Sequence, residues 1–342
     1  MSEKCLNNAV LFLVFNRPDP TRRVFEAIRA ARPARLYVAG DGPRKSREGE
    51  QASCDEVRKI ATAVDWPCRI KTLFRERNLG CKMGVAKAID WFFANEESGI
   101  ILEDDCLPCP EFFNFCSEML AHYRDQDQIM AVTGTNYQAG HWRGEASYYF
   151  SRFPHIWGWA SWRRAWKHYD VTMESWPKDR KEKWMEKVCP PVERSFWTDF
   201  FDQVHAGKID TWDGQWLYAI WRHSGIGIIP NVNLITNIGA GPDATHTKGD
   251  PGSLEIAVGQ LGQVVHPNTV SIDTAADDFT YRIEFGGKAG PDTRTFPKRV
   301  KRSLMRLLNA GLGSVGYQIT RDSIGTTTSR VLQLGPYKVW RR

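Results

Sequence analysis

Ile100-Ile101-Leu102-Glu103-Asp104-Asp105 sets three consecutive acids directly behind a short apolar run. Such a run reads as a strand of a parallel sheet covered on both faces, and open α/β sheets bind ligands in the crevice beyond the carboxyl ends of their strands. Three adjacent carboxylates there repel one another, which raises the pKa of at least one unless a cation or hydrogen-bond donors neutralise them. Oxygen-only donors suit Mg²⁺ or Mn²⁺, which are commonly held by one or two carboxylates together with substrate phosphates. A second reading makes the acids part of a helix start, because Pro110-Glu111 stands where a first helical turn begins. It accounts for Glu111 better than for Glu103, so the segment reads first as a metal-diphosphate site.

The flanking sequence supplies the rest of a sheet. Residues 9–15 read as a buried strand, and residues 20–31 as a helix with Val24, Ala27, Ile28 and Ala31 on one face. Residues 35–39 form a second strand ending at Gly40-Asp41-Gly42-Pro43, a turn cluster that leaves one acid at a strand terminus. A polar stretch to residue 63 contains a helix, residues 69–74 are a third strand, and residues 81–93 are helical after the turn Asn78-Leu79-Gly80. Four strand-plus-helix units in about a hundred residues imply right-handed crossovers and a mostly parallel sheet. Farther on, residues 110–123 read as helix and 129–133 as strand; Trp159, Trp162 and Trp166 fall at helical spacing. Trp212-Asp213-Gly214-Gln215-Trp216 opens a helix to Trp221, residues 226–230 and 233–236 are short strands, and residues 239–247 form a Gly-rich loop.

At 342 residues the chain exceeds the usual single-core domain. Eleven of its 14 tryptophans lie between Trp142 and Trp221, a concentration expected to pack as core. The expected division is a nucleotide-sugar half (1–140), an acceptor and catalytic-base half of the same domain (141–250), an extension (251–297) and a basic tail (298–342). That tail carries ten Lys or Arg against the single acid Asp322, so the formal +6 of the chain leaves residues 1–297 at −3. The body therefore gives little support to nucleic-acid binding. Val300, Leu304, Leu307 and Leu308 share a helical face with Lys298, Lys301, Arg302 and Arg306 around it, the pattern of an interfacial helix on an anionic membrane. Residues 9–15 are too few for a signal or spanning segment, so a cytoplasmic protein is expected, peripheral on the membrane through its tail. The eight cysteines are then reduced, and the Cys106/Cys109 pair, without a second CxxC, reads as thiols packed beneath the acidic loop.

These residues resemble the GT-A glycosyltransferases that use nucleotide-diphosphate sugars, in detail the N-acetylglucosaminyltransferase I group and family-2-like bacterial enzymes. The likeness spans about residues 8–250. It rests most on Leu102-Glu103-Asp104-Asp105 followed by Pro110-Glu111-Phe112-Phe113, which matches the group's acidic metal motif and the helix after it. Asn16-Arg17 and Gly40-Asp41-Gly42 stand where that group places an arginine near the phosphates and an acid reading the base. Residues 153–159 and then Trp212-Asp213 stand where it has its acceptor-side wall and catalytic base.

The resemblance implies a GT-A, Rossmann-like fold with Asp105 as direct metal ligand, Glu103 and Asp104 facing the donor sugar and ribose, and Arg17 on phosphate. It implies Asp213 as general base of an inverting transfer, and His246 on the metal, on the diphosphate or ordering the closing loop. The donor would be a nucleotide-diphosphate sugar, a UDP-sugar favoured and an N-acetylhexosamine among the sugars implied. The acceptor would be a glycan or lipid-linked hydroxyl in bacterial surface glycan assembly. Asn16 departs from the pattern, since relatives carry an acid there, and nothing after Pro251 aligns. Two other functions compete. A sugar-nucleotide nucleotidyltransferase would need a Gly-rich basic loop after the first strand, where this chain has Asn16-Arg17-Pro18-Asp19-Pro20. A non-catalytic sugar-binding protein would leave the triple acid and Asp213 without a task.

Overall fold

The computed structural model describes residues 6–239 and 256–286, with two short strands near the C-terminus. In chain order the elements are β1 (Ala9–Val14), α1 (Pro18–Ala31), β2 (Arg35–Gly40), α2 (Glu50–Ala61), β3 (Arg69–Phe74), α3 (Gly80–Asn95), β4 (Ser98–Glu103), β5 (Cys106–Pro108) and α4 (Pro110–His122). There follow β6 (Ile129–Thr133), β7 (Tyr148–Ser151), β8 (Trp159–Trp162), the short helices α5 (Arg163–Trp166), α6 (Trp176–Lys181) and α7 (Met185–Val188), then α8 (Pro191–His205) and α9 (Asp213–Arg222). Last come β9 (Ile226–Pro230), β10 (Ile235–Asn237), α10 (Thr274–Glu284), β11 (Leu332–Leu334) and β12 (Tyr337–Val339). Pro18 and Pro110 each occupy the first turn of their helices with an acid beside them, Asp19 and Glu111, where a missing N–H costs nothing and the helix dipole favours negative charge.

Eight strands make one sheet in the order β3-β2-β1-β4-β8-β6-β9-β7. The first four are parallel throughout, β6 and β9 are parallel, and β8 and the edge strand β7 run antiparallel to their neighbours. Helices cover both faces, giving a Rossmann-like α/β fold. Alternation explains how. Val10, Phe12, Leu36, Val38, Ile100 and Leu102 pack on the side of α1, α2 and α4, while Leu11, Tyr37, Ala39 and Ile101 pack with residues of α3, α8 and α9. Both sides of these strands are buried, so they read as continuous apolar runs.

The Trp-rich segment corrects one expectation and meets another. Trp159 to Trp162 form β8, not a helix, and α5 begins only at Arg163. All four residues of β8 are buried because the strand lies between β4 and β6, so no period is visible and the three-residue spacing of its tryptophans imitated a helix. Trp159 and Trp162 accordingly face opposite sides of the sheet. Trp159, Trp162, Trp166, Trp176, Trp197, Trp212, Trp216 and Trp221 are buried, as core residues should be. The last short strand is Ile235–Asn237 rather than 233–236, since Asn233 turns its amide onto the backbone of Ile235 and Ile256.

Part of the 251–297 extension is docked on the body. Asp273 caps α10 by accepting the N–H of Ala276. From α10, Asp277 accepts Ser151 Oγ at 2.5 Å and Arg152 Nε at 3.1 Å, while the other end of Arg152 donates to Glu193 of α8 at 3.0 and 3.2 Å. Asp277 and Glu193 are each 2% exposed, so this ion network is a buried joint between β7, α8 and α10. Most of residues 298–342, including the expected interfacial helix, lies outside the described residues. Among the described residues no helix is long and apolar enough to cross a membrane.

Candidate active site

Parallel pairing brings three strand ends to one edge. Leu13 of β1 stands opposite Ala39 of β2 on one side and Glu103 of β4 on the other, so Asn16-Arg17, Asp41 and Asp104-Asp105 leave the sheet side by side. Arg17 is held extended before Pro18, at the N-cap of α1, and its guanidinium turns back onto the acids. One nitrogen donates to Asp104 Oδ1 and, at 3.0 Å, to Asp105 Oδ2. Burial alone would lower the pKa of Arg17, but Asp104 and Asp105 more than offset it and raise it. Burial pushes the Asp104 carboxyl up, against the pull of Arg17, and its Oδ2 is buried without a hydrogen-bond partner.

Glu103 occupies the alternation position that faces α3 and α9. Burial first, and then Asp105, Asp104 and Asp213, push its carboxyl well above the usual carboxylate range, against the pull of Arg17. Asp213 thus lies within electrostatic reach of the triple acid. It is the first residue of α9, after Trp212 at the N-cap. Its Oδ1 accepts from Thr211 Oγ1 and, at 2.9 Å, from the first-turn N–H of Gly214.

Asn16 and Asp41 flank this group. The Asn16 amide donates to Glu50 at 2.9 Å, and the Asp41 carboxylate accepts the N–H groups of Gly42, Leu79 and Gly80 at 2.9 to 3.1 Å, closing the turn before α3. Burial raises the Asp41 pKa against these donors. His246 lies outside the described residues. The approach to its loop is visible: Ile238 donates to the Asp105 carbonyl at 2.8 Å, and a Cβ on Gly239 would lie 2.1 Å from Asp105 Oδ2. Only glycine allows the backbone to pass so close to that carboxylate.

Cys81, Tyr137 and Glu284 lie outside every motif read from the sequence, whereas His155 and Trp157 fall within the 153–159 stretch. Cys81, in the first turn of α3, has its thiol pushed up by burial and then by Glu103, Asp213, Asp210 and Asp105, which places it among the carboxylates. Tyr137 meets His155 edge-on at 4.5 Å between ring centroids and Trp157 at 5.8 Å. Cys106 is buried and its thiol donates weakly to Asp105 Oδ1 at 3.5 Å, consistent with packing beneath the acidic turn.

Among the described residues no three His, Cys, Asp or Glu side chains converge to hold a metal ion unaided. The oxygen donors nevertheless fit a Mg²⁺ or Mn²⁺ shared with a ligand, since Asp104 Oδ2 lacks a partner and Asp105 reaches the strand-end crevice. Such an ion would take its remaining oxygens from phosphate and water.

No protein-family model matches the chain, and no curated protein matches it. Among solved structures it is similar to UDP-glucose pyrophosphorylase complexed with UDP-glucose, at 10% identity and TM-score 0.25, over 42% of this chain and 62% of that one. It is similar to apo-UDP-glucose pyrophosphorylase at 11% identity and TM-score 0.28, over 47% and 78% of the two chains. The 4-diphosphocytidyl-2C-methyl-D-erythritolsynthase of Anaerococcus prevotii is similar at 10% identity and TM-score 0.28, over 57% and 84%. Likeness this weak carries no argument about function.

Proposed function

We propose that this protein is a GT-A-type inverting glycosyltransferase that moves a sugar from a nucleotide-diphosphate donor, a UDP-sugar in the first instance, to a hydroxyl acceptor. The observation that carries this reading is the meeting of Arg17, Glu103, Asp104, Asp105 and Asp213 at the carboxyl edge of the sheet. Arg17 is the cation nearest the acids and can move from Asp104 and Asp105 onto a phosphate, which its planar fork suits. Asp105 and a neighbouring acid would hold the divalent ion, whose charge stabilises the departing diphosphate. Asp213 keeps Oδ1 occupied by Thr211 and Gly214, leaving Oδ2 to take the acceptor hydroxyl's proton as that oxygen attacks the anomeric carbon opposite the leaving group.

The test is hydrolysis and binding of a panel of nucleotide sugars with and without Mn²⁺. Asp105→Ala is expected to weaken Mn²⁺-dependent UDP-sugar binding at least about tenfold, roughly 1.4 kcal/mol, while the fold persists. Wild-type affinity in this variant, or full activity in excess EDTA, would reject the metal assignment. Pyrophosphate release from a nucleoside triphosphate and a sugar 1-phosphate, without donor hydrolysis, would replace the transferase with a nucleotidyltransferase.

A further inference from the structure

Glu50 is a buried carboxylate that the proposed chemistry does not use, yet it is tied to the turn that carries Arg17. It is the first residue of α2, after the left-handed Gly49, where the helix dipole favours negative charge, and it is 6% exposed. Arg44 encloses it: the backbone N–H donates to Oε2 at 2.6 Å, Nε donates to both oxygens at 3.0 and 3.1 Å, and Nη2 donates to Oε1. Burial alone would raise this carboxyl, but Arg44 and then Asn16 more than offset it and hold it below the usual range, so Glu50 is ionised and can only accept. Arg44 also lies over the Phe15 ring, 5.3 Å from its centroid, which joins the start of α2 to the residues before Arg17.

The remaining donor to Glu50 is Asn16 Nδ2, at 2.9 Å from Oε1. This bond settles which way the amide points, because an acceptor-only carboxylate cannot face the amide oxygen. Asn16 Oδ1 accepts no hydrogen bond among the described residues and is not sealed from solvent. What Asn16 holds ready for a ligand is therefore a fixed carbonyl oxygen. Asp41, at the next strand end, is already committed: its two oxygens accept the N–H groups of Gly42, Leu79 and Gly80, and drawing it onto a ligand would leave those groups unpaired. Asn16 is the chain neighbour of Arg17, so a nucleotide with its phosphate on Arg17 brings its nucleoside within reach of Asn16. Uracil and cytosine differ at N3, which carries a hydrogen in uracil and a lone pair in cytosine. A fixed carbonyl oxygen pairs with the first and repels the second.

We propose that Asn16 reads the nucleobase through Oδ1, selecting uracil by its N3–H, and that Glu50 is the positioning residue that locks the amide in that sense. This rests on the nucleotide-diphosphate donor of the transferase reading, and adds to it the base and the residue that sets the choice. Glu50 itself touches no part of the ligand.

Calorimetric titration of the full chain with UDP and with CDP, each in Mn²⁺, tests both roles. Wild type should bind UDP at least about tenfold tighter than CDP, the scale of one hydrogen bond exchanged for a repulsion. Asn16→Ala should bring the two nucleotides to within about twofold of each other, since the discriminating oxygen is gone. Glu50→Gln should narrow the preference by about threefold or more, because a glutamine amide can face Asn16 in either sense. A merely structural Glu50 would lower the melting temperature and leave the UDP-to-CDP ratio alone. Circular dichroism melts identify the folded variants, and Asn16→Ala, which leaves Glu50 bound to Arg44, keeps the proposal falsifiable if Glu50→Gln unfolds. An unchanged ratio in folded Asn16→Ala, or no wild-type preference for UDP, overturns the base reading; an unchanged ratio in folded Glu50→Gln overturns the positioning role. If wild type binds neither nucleotide, the transferase reading falls and takes this proposal with it. If it binds UDP with Mn²⁺ at a ratio indifferent to Asn16, the transferase reading stands and the base reading alone fails.

Discussion

Asp213→Asn is expected to lower sugar transfer on the order of a hundredfold or more while leaving donor affinity near the wild-type value. The asparagine oxygen can still accept from Thr211 and the Gly214 N–H, so the start of α9 should not change. What is lost is Oδ2, replaced by an amide that cannot take a proton. Asn also serves well at helix starts, so a purely structural Asp213 would leave turnover unaltered. Single-turnover transfer rates alongside calorimetric donor binding separate the two outcomes, and near-normal turnover would remove Asp213 from the chemistry.

Arg152→Ala should destabilise the fold by about 3–5 kcal/mol, the cost of breaking a buried ion network from one side. It abandons Asp277 and Glu193, both almost without solvent contact, and strips a cation from the faces of Phe153 and Trp221. Because native stability is only about 5–15 kcal/mol, the variant should melt far below wild type. Burial already raises the pKa of both carboxyls above their unfolded values even with Arg152 present. A raised carboxyl contributes stability that is present below the unfolded pKa and lost as pH rises through the folded one. Without the guanidinium the rise is larger, so the defect should grow from pH 5 to pH 8. Denaturant unfolding at both pH values measures this, and a pH-independent loss would show that Arg152 acts through packing alone.

The first four strands, their helices and the acidic turn were legible in the sequence because each is a local signal: an apolar run the length of a strand, a proline or glycine at its end, an amphipathic repeat after it. Their parallel order follows from short, right-handed connections. The candidate site was legible for the same reason, since Arg17, Asp41 and Glu103–Asp105 all sit at or just past the ends of strands that can be read. Their partners were not legible. That Asp41 is tied to the backbone before α3, and Asn16 to Glu50, depends on contacts between separate elements.

Beyond Thr133 local signals still mark α9 and β9, at Asp213–Arg222 and Ile226–Pro230, but not the rest. The sequence determined that most of the tryptophans would be buried, because burying their area is favourable in water, although Trp142 is 50% exposed. It did not determine that Trp159–Trp162 enters the sheet between β4 and β6: a strand buried on both faces has no alternation to read, and its insertion between strands formed earlier in the chain is fixed by pairing at a distance. The same holds for α10, which lies in the 251–297 extension, where no element was read from the sequence. Only the buried joint through Arg152, Glu193 and Asp277 sets its docking on the body.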